Sequence, residues 1–228
     1  MVWSWVNCAW GYFNCQVVMN RTIVVISLFS MFYTSAFAQE GRKLNDGEKA
    51  VFEQKMMEQS QKIKTLQCDF VQEKSSTLVM EKAVAKGILC YQSPSMLRWE
   101  YRTPTPSTLI LNGQNAVLLD KDGKRAGNEK AVKPLGNIII SMINGDGIKN
   151  NKQFSTEIFE SNNHFLITLT PVQKRLKEFY KSIALKVDKN TFLAFEILMN
   201  ERSGDMIVIY LSNKKLNEKI GDKEFKIK

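Results

Sequence analysis

His164 is the single histidine in 228 residues, so general acid–base chemistry near neutral pH would have to centre on it. It follows Asn162-Asn163 at the start of an apolar run, a setting that predicts an exposed turn histidine rather than a base. No serine sits in a G-x-S-x-G setting, so a hydrolytic triad is not expected. Cys68, Cys90 and His164 are too widely spaced for a zinc site. Asp120-x-Asp122-Gly123 and Asn144-Gly145-Asp146-Gly147 resemble fragments of calcium loops. Counting from Asp120, however, Arg125 stands where glycine is needed and Ala131 where the bidentate glutamate belongs, so both read as turns. Neither G-x-x-x-x-G-K-[ST] nor G-x-G-x-x-G occurs, which removes the usual nucleotide sites. Glu100 and Asp205 remain as isolated acids that could act only at the bottom of a cleft. The expectation is a protein without catalytic residues, metal or cofactor.

What the chain offers instead is apolar surface. The run Tyr91-Gln92-Ser93-Pro94-Ser95-Met96-Leu97-Arg98-Trp99-Glu100-Tyr101-Arg102-Thr103-Pro104 alternates Leu97, Trp99 and Tyr101 with Arg98, Glu100 and Arg102. Side chains on a strand point alternately to opposite faces. One face therefore gathers two aromatic rings and a leucine, and the other a plus, minus, plus row. Such a face must cover something apolar. Seven of the ten methionines lie beyond residue 38 (Met56, Met57, Met80, Met96, Met142, Met199 and Met206). Flexible thioethers suit surfaces that adapt to varied apolar ligands, although methionine is equally ordinary core filler.

The first 38 residues read as a leader. Asn20-Arg21 supplies a short positive region, residues 22–33 an apolar core, and Ala36-Phe37-Ala38 a small-x-small cleavage site, the pattern of a secretory signal peptide. A membrane anchor over residues 17–37 is the alternative, opposed by the polar interruption and the Ala-x-Ala end. Residues 1–18 fit no targeting pattern, whereas Met19 would begin a well-formed signal. A single domain is expected over residues 39–228, exported, soluble and monomeric. Of the 32 Lys and Arg residues only Arg21 leaves with the leader, so 31 cations face 23 acids, a net +8. The charges are scattered, which predicts a solvated surface rather than a nucleic-acid interface. A hairpin turning near residues 77–81 would bring Cys68 and Cys90 opposite one another, either as a disulfide or as two free buried thiols.

Residues 44–66 carry Phe52, Met56, Ile63 and Leu66 at helical spacing, and Asn45-x-x-Glu48 resembles a capping box. Beyond residue 67 short alternating runs are separated by turn residues. Strands are expected over residues 67–74, 82–91, 96–102, 108–111, 116–120, 154–159, 165–170, 182–187, 192–199 and 206–212. One segment interrupts this meander. Residues 134–145 run from a helix-start proline to an Asn-Gly stop with apolar residues on nearly every side, which predicts either a buried strand or a short helix entering a concavity as a lid.

Leu97-Arg98-Trp99-Glu100-Tyr101 resembles the signature strand of the LolA-type periplasmic carriers of outer-membrane lipoproteins. Phe70-x-Gln72, Gly87, Pro94, Pro104, Asn112-Gly113, Leu169-Thr170-Pro171, Ser203-Gly204-Asp205 and Leu211-Ser212-Asn213 follow in the order of that family across residues 44–228. The resemblance implies an α+β fold: a strongly curved antiparallel sheet forming an incomplete β-barrel, with a helical lid over a hydrophobic cavity. It implies a carrier that takes lipoprotein acyl chains from an inner-membrane transporter and delivers them to an outer-membrane receptor. Another lipid as ligand, or a sensor of mislocalised lipoproteins, would use the same fold, and an envelope-lipid enzyme is the third reading. Phe70, Ile88, Leu97, Trp99 and Tyr101 are the candidate cavity wall, and Ile139, Met142 and Ile143 the candidate lid. Some members hold the lid with an arginine immediately before the signature proline. Here that position is Ser93, which leaves Arg98 or Arg102 as possible substitutes.

Overall fold

The computed structural model describes residues 41–76, 79–126, 129–145, 148 and 152–227. The expected leader at 1–38, the 77–78 turn and Asp146-Gly147 lie outside them. Helix α1 (Asp46–Gln61) opens the fold, and the capping box forms as the sequence predicts. Asn45 Oδ1 accepts from the Glu48 N–H at 3.0 Å, and Glu48 Oε2 accepts from the Asn45 N–H at 2.9 Å, satisfying two of the first-turn donors. Leu66, expected on the helix, belongs instead to the next strand.

A two-residue strand, β1 (Arg42–Lys43), precedes this helix. Ten more follow: β2 (Thr65–Ser76), β3 (Val79–Gln92), β4 (Met96–Thr103), β5 (Ser107–Asn112), β6 (Asn115–Leu119), β7 (Phe154–Glu160), β8 (His164–Pro171), β9 (Tyr180–Asp188), β10 (Ala194–Glu201) and β11 (Met206–Leu216). They form one antiparallel sheet in the order β1-β7-β8-β9-β10-β11-β2-β3-β4-β5-β6. Its edges, β1 and β6, do not pair with each other, so the curved sheet stays an unclosed barrel. Each of the ten expected strands is present, most of them longer than the alternation indicated.

The interrupting segment is a helix, α2 (Glu129–Ile143). It starts at Glu129 rather than at Pro134. Its Ile138, Ile139, Ile140 and Met142 are buried together with Phe52 and Met56 of α1 and the inward side chains of the sheet. Gly136 is required here: a Cβ on it would stand 2.5 Å from Leu111 Cδ1 on β5. Burial of four large apolar side chains contributes at most roughly 6–12 kcal/mol to keeping the helix seated. No helix among the described residues is long and apolar enough to cross a membrane.

Alternation sorts the interior from the exterior. Leu66, Cys68 and Phe70 of β2, Leu89 and Tyr91 of β3, Leu97 and Trp99 of β4, and Ile183, Leu185 and Val187 of β9 join the main core. A second, smaller cluster covers the outer face. There Ile220 and Phe225, the latter on a 3₁₀ turn (Asp222–Phe225), pack on Cys90, Ile88 and Met96. Asn112 Nδ2 anchors this tail by donating to the Phe225 carbonyl at 3.2 Å.

Candidate functional site: an apolar cavity under the lid helix

The enclosed space lies between β2–β3, β9–β11 and the two helices. Met56 from α1, Ile138, Ile139, Met142 and Ile143 from α2, and inward residues of β9, β10 and β11 line it. As it stands the cavity holds about 70 Å³, against roughly 300–1,000 Å³ for ligand pockets in general.

The three lid residues named from sequence, Ile139, Met142 and Ile143, all border the cavity. The wall residues are placed differently. Phe70, Trp99 and Tyr101 come together as a packed ring cluster on the inner face of β2 and β4, Leu97 is buried opposite Tyr91 and Leu111, and none of the four is among the described residues that line the open space. Phe70 lies 4.7 Å from Trp99 and 5.1 Å from Tyr101 between ring centroids. The Tyr101 hydroxyl donates to Gln72 Oε1 at 2.8 Å. Gly87, opposite both Phe70 and Tyr101 in the ladder, makes room for the cluster. A Cβ there would stand 1.9 Å from the Glu100 carbonyl oxygen and 2.6 Å from Phe70 Cζ.

Ile88 does not join the wall. It points to the outer face with Cys90, because Gly87, Leu89 and Tyr91 take the inner positions of β3. The same parity separates the thiols: Cys68 is opposite Leu89, and Cys90 is opposite Gln67. Both cysteines are buried and free. Burial pushes the Cys68 thiol up to about 12, with the Lys214 charge opposing that rise and Cys90 and Asp69 adding to it.

Arg98 and Arg102 are not lid clasps. On the outer face of β4 they sandwich Glu100, with Arg98 Nη2 at 2.7 Å and Arg102 Nε at 3.2 Å. Burial alone would raise the Glu100 carboxyl, but these bonds outweigh it and hold the group below its usual range. The lid is fastened by Asn144 instead. Its Nδ2 donates to the Pro94 carbonyl at 2.9 Å, and its Oδ1 accepts from the Tyr91 hydroxyl. Gly145, at φ +79°, then turns the chain so close to α1 that a Cβ would meet Ser60 Oγ at 3.0 Å.

Sequence reasoning missed the β9–β11 side of the cavity, including Leu185, Ile197, Met199 and Ile209. Alternation marks these as inward-facing, but so it does the ring cluster. It also missed Lys214, the one charged side chain among the described lining residues. His164, expected in an exposed turn, is half-buried with its ring edge-on to Phe195 at 5.9 Å. Asp188 opposite it spends Oδ1 on the Asn190 and Thr191 N–H groups and the Thr191 hydroxyl. Asp205 lies 3.1 Å from Lys74 Nζ. Among the described residues no group of three or more His, Cys, Asp or Glu is placed to hold a metal ion.

An unclosed antiparallel barrel whose apolar interior is filled by a helical lid defines a class of fold rather than a reaction. The chain belongs to the family described as outer membrane lipoprotein carrier protein LolA, whose family model matches residues 61–228. Similar solved structures include a LolA superfamily protein from Nitrosomonas europaea, at 12% identity and TM-score 0.43, covering 77% of this chain and 97% of that one. The Pseudomonas aeruginosa MucA/MucB complex matches at 9% identity and TM-score 0.43, over 78% of this chain and 61% of that one. The Mycobacterium tuberculosis lipoprotein LppX matches at 11% identity and TM-score 0.40, over 78% and 99%. No curated protein matches the sequence.

Proposed function

We propose that this protein is a non-catalytic periplasmic carrier that covers the acyl chains of lipoproteins in the interior now occupied by α2, and moves them between the inner and outer membranes. The observation that supports this reading best is the lid's place. Ile139, Met142 and Ile143 border an apolar cavity too small for a ligand while the helix is seated, so ligand and lid compete for one interior. The magnitudes allow such an exchange. Each buried methylene gains about 0.8 kcal/mol, so roughly 8–15 methylenes match the most that the four buried lid side chains contribute. One long acyl chain reaches that range, and several chains exceed it. Because the lid regains its own burial when cargo leaves, release costs less than extraction from a rigid pocket.

Catalysis is disfavoured by the acids that would have had to supply it. Glu100 is clamped by two arginines on the outer face, and Asp205 faces Lys74. An inner-membrane transporter as donor and an outer-membrane receptor as acceptor are the partners such a carrier requires.

Native mass spectrometry of the protein isolated from its own cell envelope, with identification of bound lipids and peptides, tests the proposal. Acylated peptides in the bound fraction are expected. Non-peptide lipid alone would replace the lipoprotein reading with a lipid carrier or sensor, and an empty protein that takes up no added acyl chain would overturn it.

A further inference from the structure

Lys214 is half-buried at the border of an otherwise apolar cavity, and the backbone puts it there on purpose of geometry rather than by alternation. In β11, Ile209 and Leu211 face inward, so regular alternation would send Asn213 inward and Lys214 outward. The ladder to β2 is interrupted at that point. Ser212 is opposite Asp69 and Lys215 opposite Gln67, so Asn213 and Lys214 together face Cys68. This is a β-bulge, in which the extra residue re-aims a side chain. Asn213 takes the left-handed conformation the bulge needs, at φ +51°, which a short polar side chain tolerates. Its Nδ2 donates to Asp69 Oδ2 at 2.7 Å, and the reversed phase brings Lys214 to the cavity lining.

The ammonium there is poorly compensated. Nζ donates to the Leu211 carbonyl at 3.1 Å, and no carboxylate among the described residues forms an ion pair with it. Burial pulls its pKa below the usual lysine value, against the opposing pull of Cys68 and, to a smaller extent, Asp188. A charge bordering an apolar space at this cost needs an anion when the space is used. The surroundings fit one. Cys68, Leu89 and Lys214 also line a groove shared with Arg102, Lys215 and one acid, Asp69, whose Oδ2 is taken by Asn213, so the apolar cavity and a groove with more cations than acids meet at Lys214.

We infer that the cavity takes an amphiphile with an anionic head, carboxylate or phosphate, whose tail replaces the lid helix and whose head is bound by the Lys214 ammonium. This rests on the acyl-chain reading of the cavity given above and not on the lipoprotein form of the cargo, whose acylated end has no anionic head, and adds to it the chemistry of the head.

Equilibrium dialysis of the delipidated protein against hexadecanoate, hexadecyl phosphate and hexadecanol, each below its micelle concentration, separates the two claims. The native protein should bind at least one anionic probe 10-fold or more tighter than the alcohol, and the stronger of the two identifies the head as carboxylate or phosphate. Lys214→Met and Lys214→Gln should bring the three probes within about twofold of one another, and Lys214→Arg should keep the preference. Circular dichroism identifies any variant that has not folded, in which case the other apolar or neutral replacement decides. Equal binding of all three by the native protein, or a preference that survives loss of the lysine, would overturn the head-group assignment while leaving the acyl-chain reading intact. Failure of all three probes to bind would overturn the acyl-chain reading itself.

Discussion

Asn144 Nδ2, just past the end of the lid helix, donates to the carbonyl oxygen of Pro94 at 2.9 Å. With the Tyr91 hydroxyl bonded to its Oδ1, this one side chain ties α2 to the loop leading into β4. It does so beside Ser93. A neutral amide lets go without separating an ion pair, so this fastening depends little on salt.

Replacing Asn144 with Ala removes both bonds, each worth about 0.5–1.5 kcal/mol net. Amides of residues 138–143 should then exchange roughly 5- to 100-fold faster, since 1.4 kcal/mol is about tenfold. Hydrogen-exchange mass spectrometry should show residues 97–111 unchanged. Uniform acceleration across the sheet would mean that Asn144 holds the whole fold rather than the lid.

The ring cluster and the cavity should separate under mutation. Leu97 is fully buried and Trp99 nearly so, so Leu97→Ala should cost about 2–5 kcal/mol and Trp99→Ala about 3–5 kcal/mol. Leu97→Glu, which buries a charge, should unfold the protein. Ala194→Val, placed on the cavity lining, should weaken hexadecanoate binding at little cost in thermal midpoint, because its two added methyl groups fit within space that is empty. Calorimetric unfolding and dialysis on the same samples read both quantities; binding lost in Leu97→Ala at unchanged stability would move the wall back to β4.

Gly87→Ala should be among the most damaging single-methyl additions. The new Cβ would meet backbone at 1.9 Å and the Phe70 ring at 2.6 Å, neither of which can yield without shifting β3 from β4. A loss of about 1–3 kcal/mol or more is expected from urea unfolding. Gly113→Ala, with nothing within 4 Å but φ at +60°, tests strain without collision and should cost only about 1 kcal/mol.

Stability should fall on the alkaline side because of Cys68. In the unfolded chain its thiol ionises near 9, whereas burial keeps it protonated up to about 12 in the fold. Between those values the unfolded state has lost a proton that the native state keeps, so folding weakens as pH rises, by up to about 4 kcal/mol. Lys214 works in the opposite direction: its lowered pKa means the native state sheds that proton first as pH rises. Cys68→Ala should therefore flatten the decline between pH 9 and 12 in urea midpoints measured across that range. An unchanged slope would assign the loss to other groups.

The apolar segment at residues 134–145 was legible as buried but not as a helix, since Ile138 to Ile140 suit a strand as well. Ten strands, the capping box at Asn45 and Glu48 and the inward set Leu97, Trp99 and Tyr101 were legible in the residues alone, because each depends on local periodicity and on turn chemistry. Ile88 was not. Residues 87–91 carry no polar side chain on the strand's inner or outer face apart from the Tyr91 hydroxyl, so alternation carries no phase there, and the tail residues Ile220 and Phe225 that cover the outer face are distant in sequence. The cavity was not legible either, since ring packing and empty space both call for inward apolar side chains. Which of them touch one another depends on how the sheet curls and where α2 enters. Lys214 shows the limit most clearly. Its direction is set by a bulge against β2, some 145 residues earlier, and only the paired strand reveals that the period of two has slipped. The sequence by itself determined the elements and their apolar content, through short-range sterics and burial. Tertiary structure alone decided which inward residues fill the interior, which border its empty space, and where the charge of Lys214 meets it.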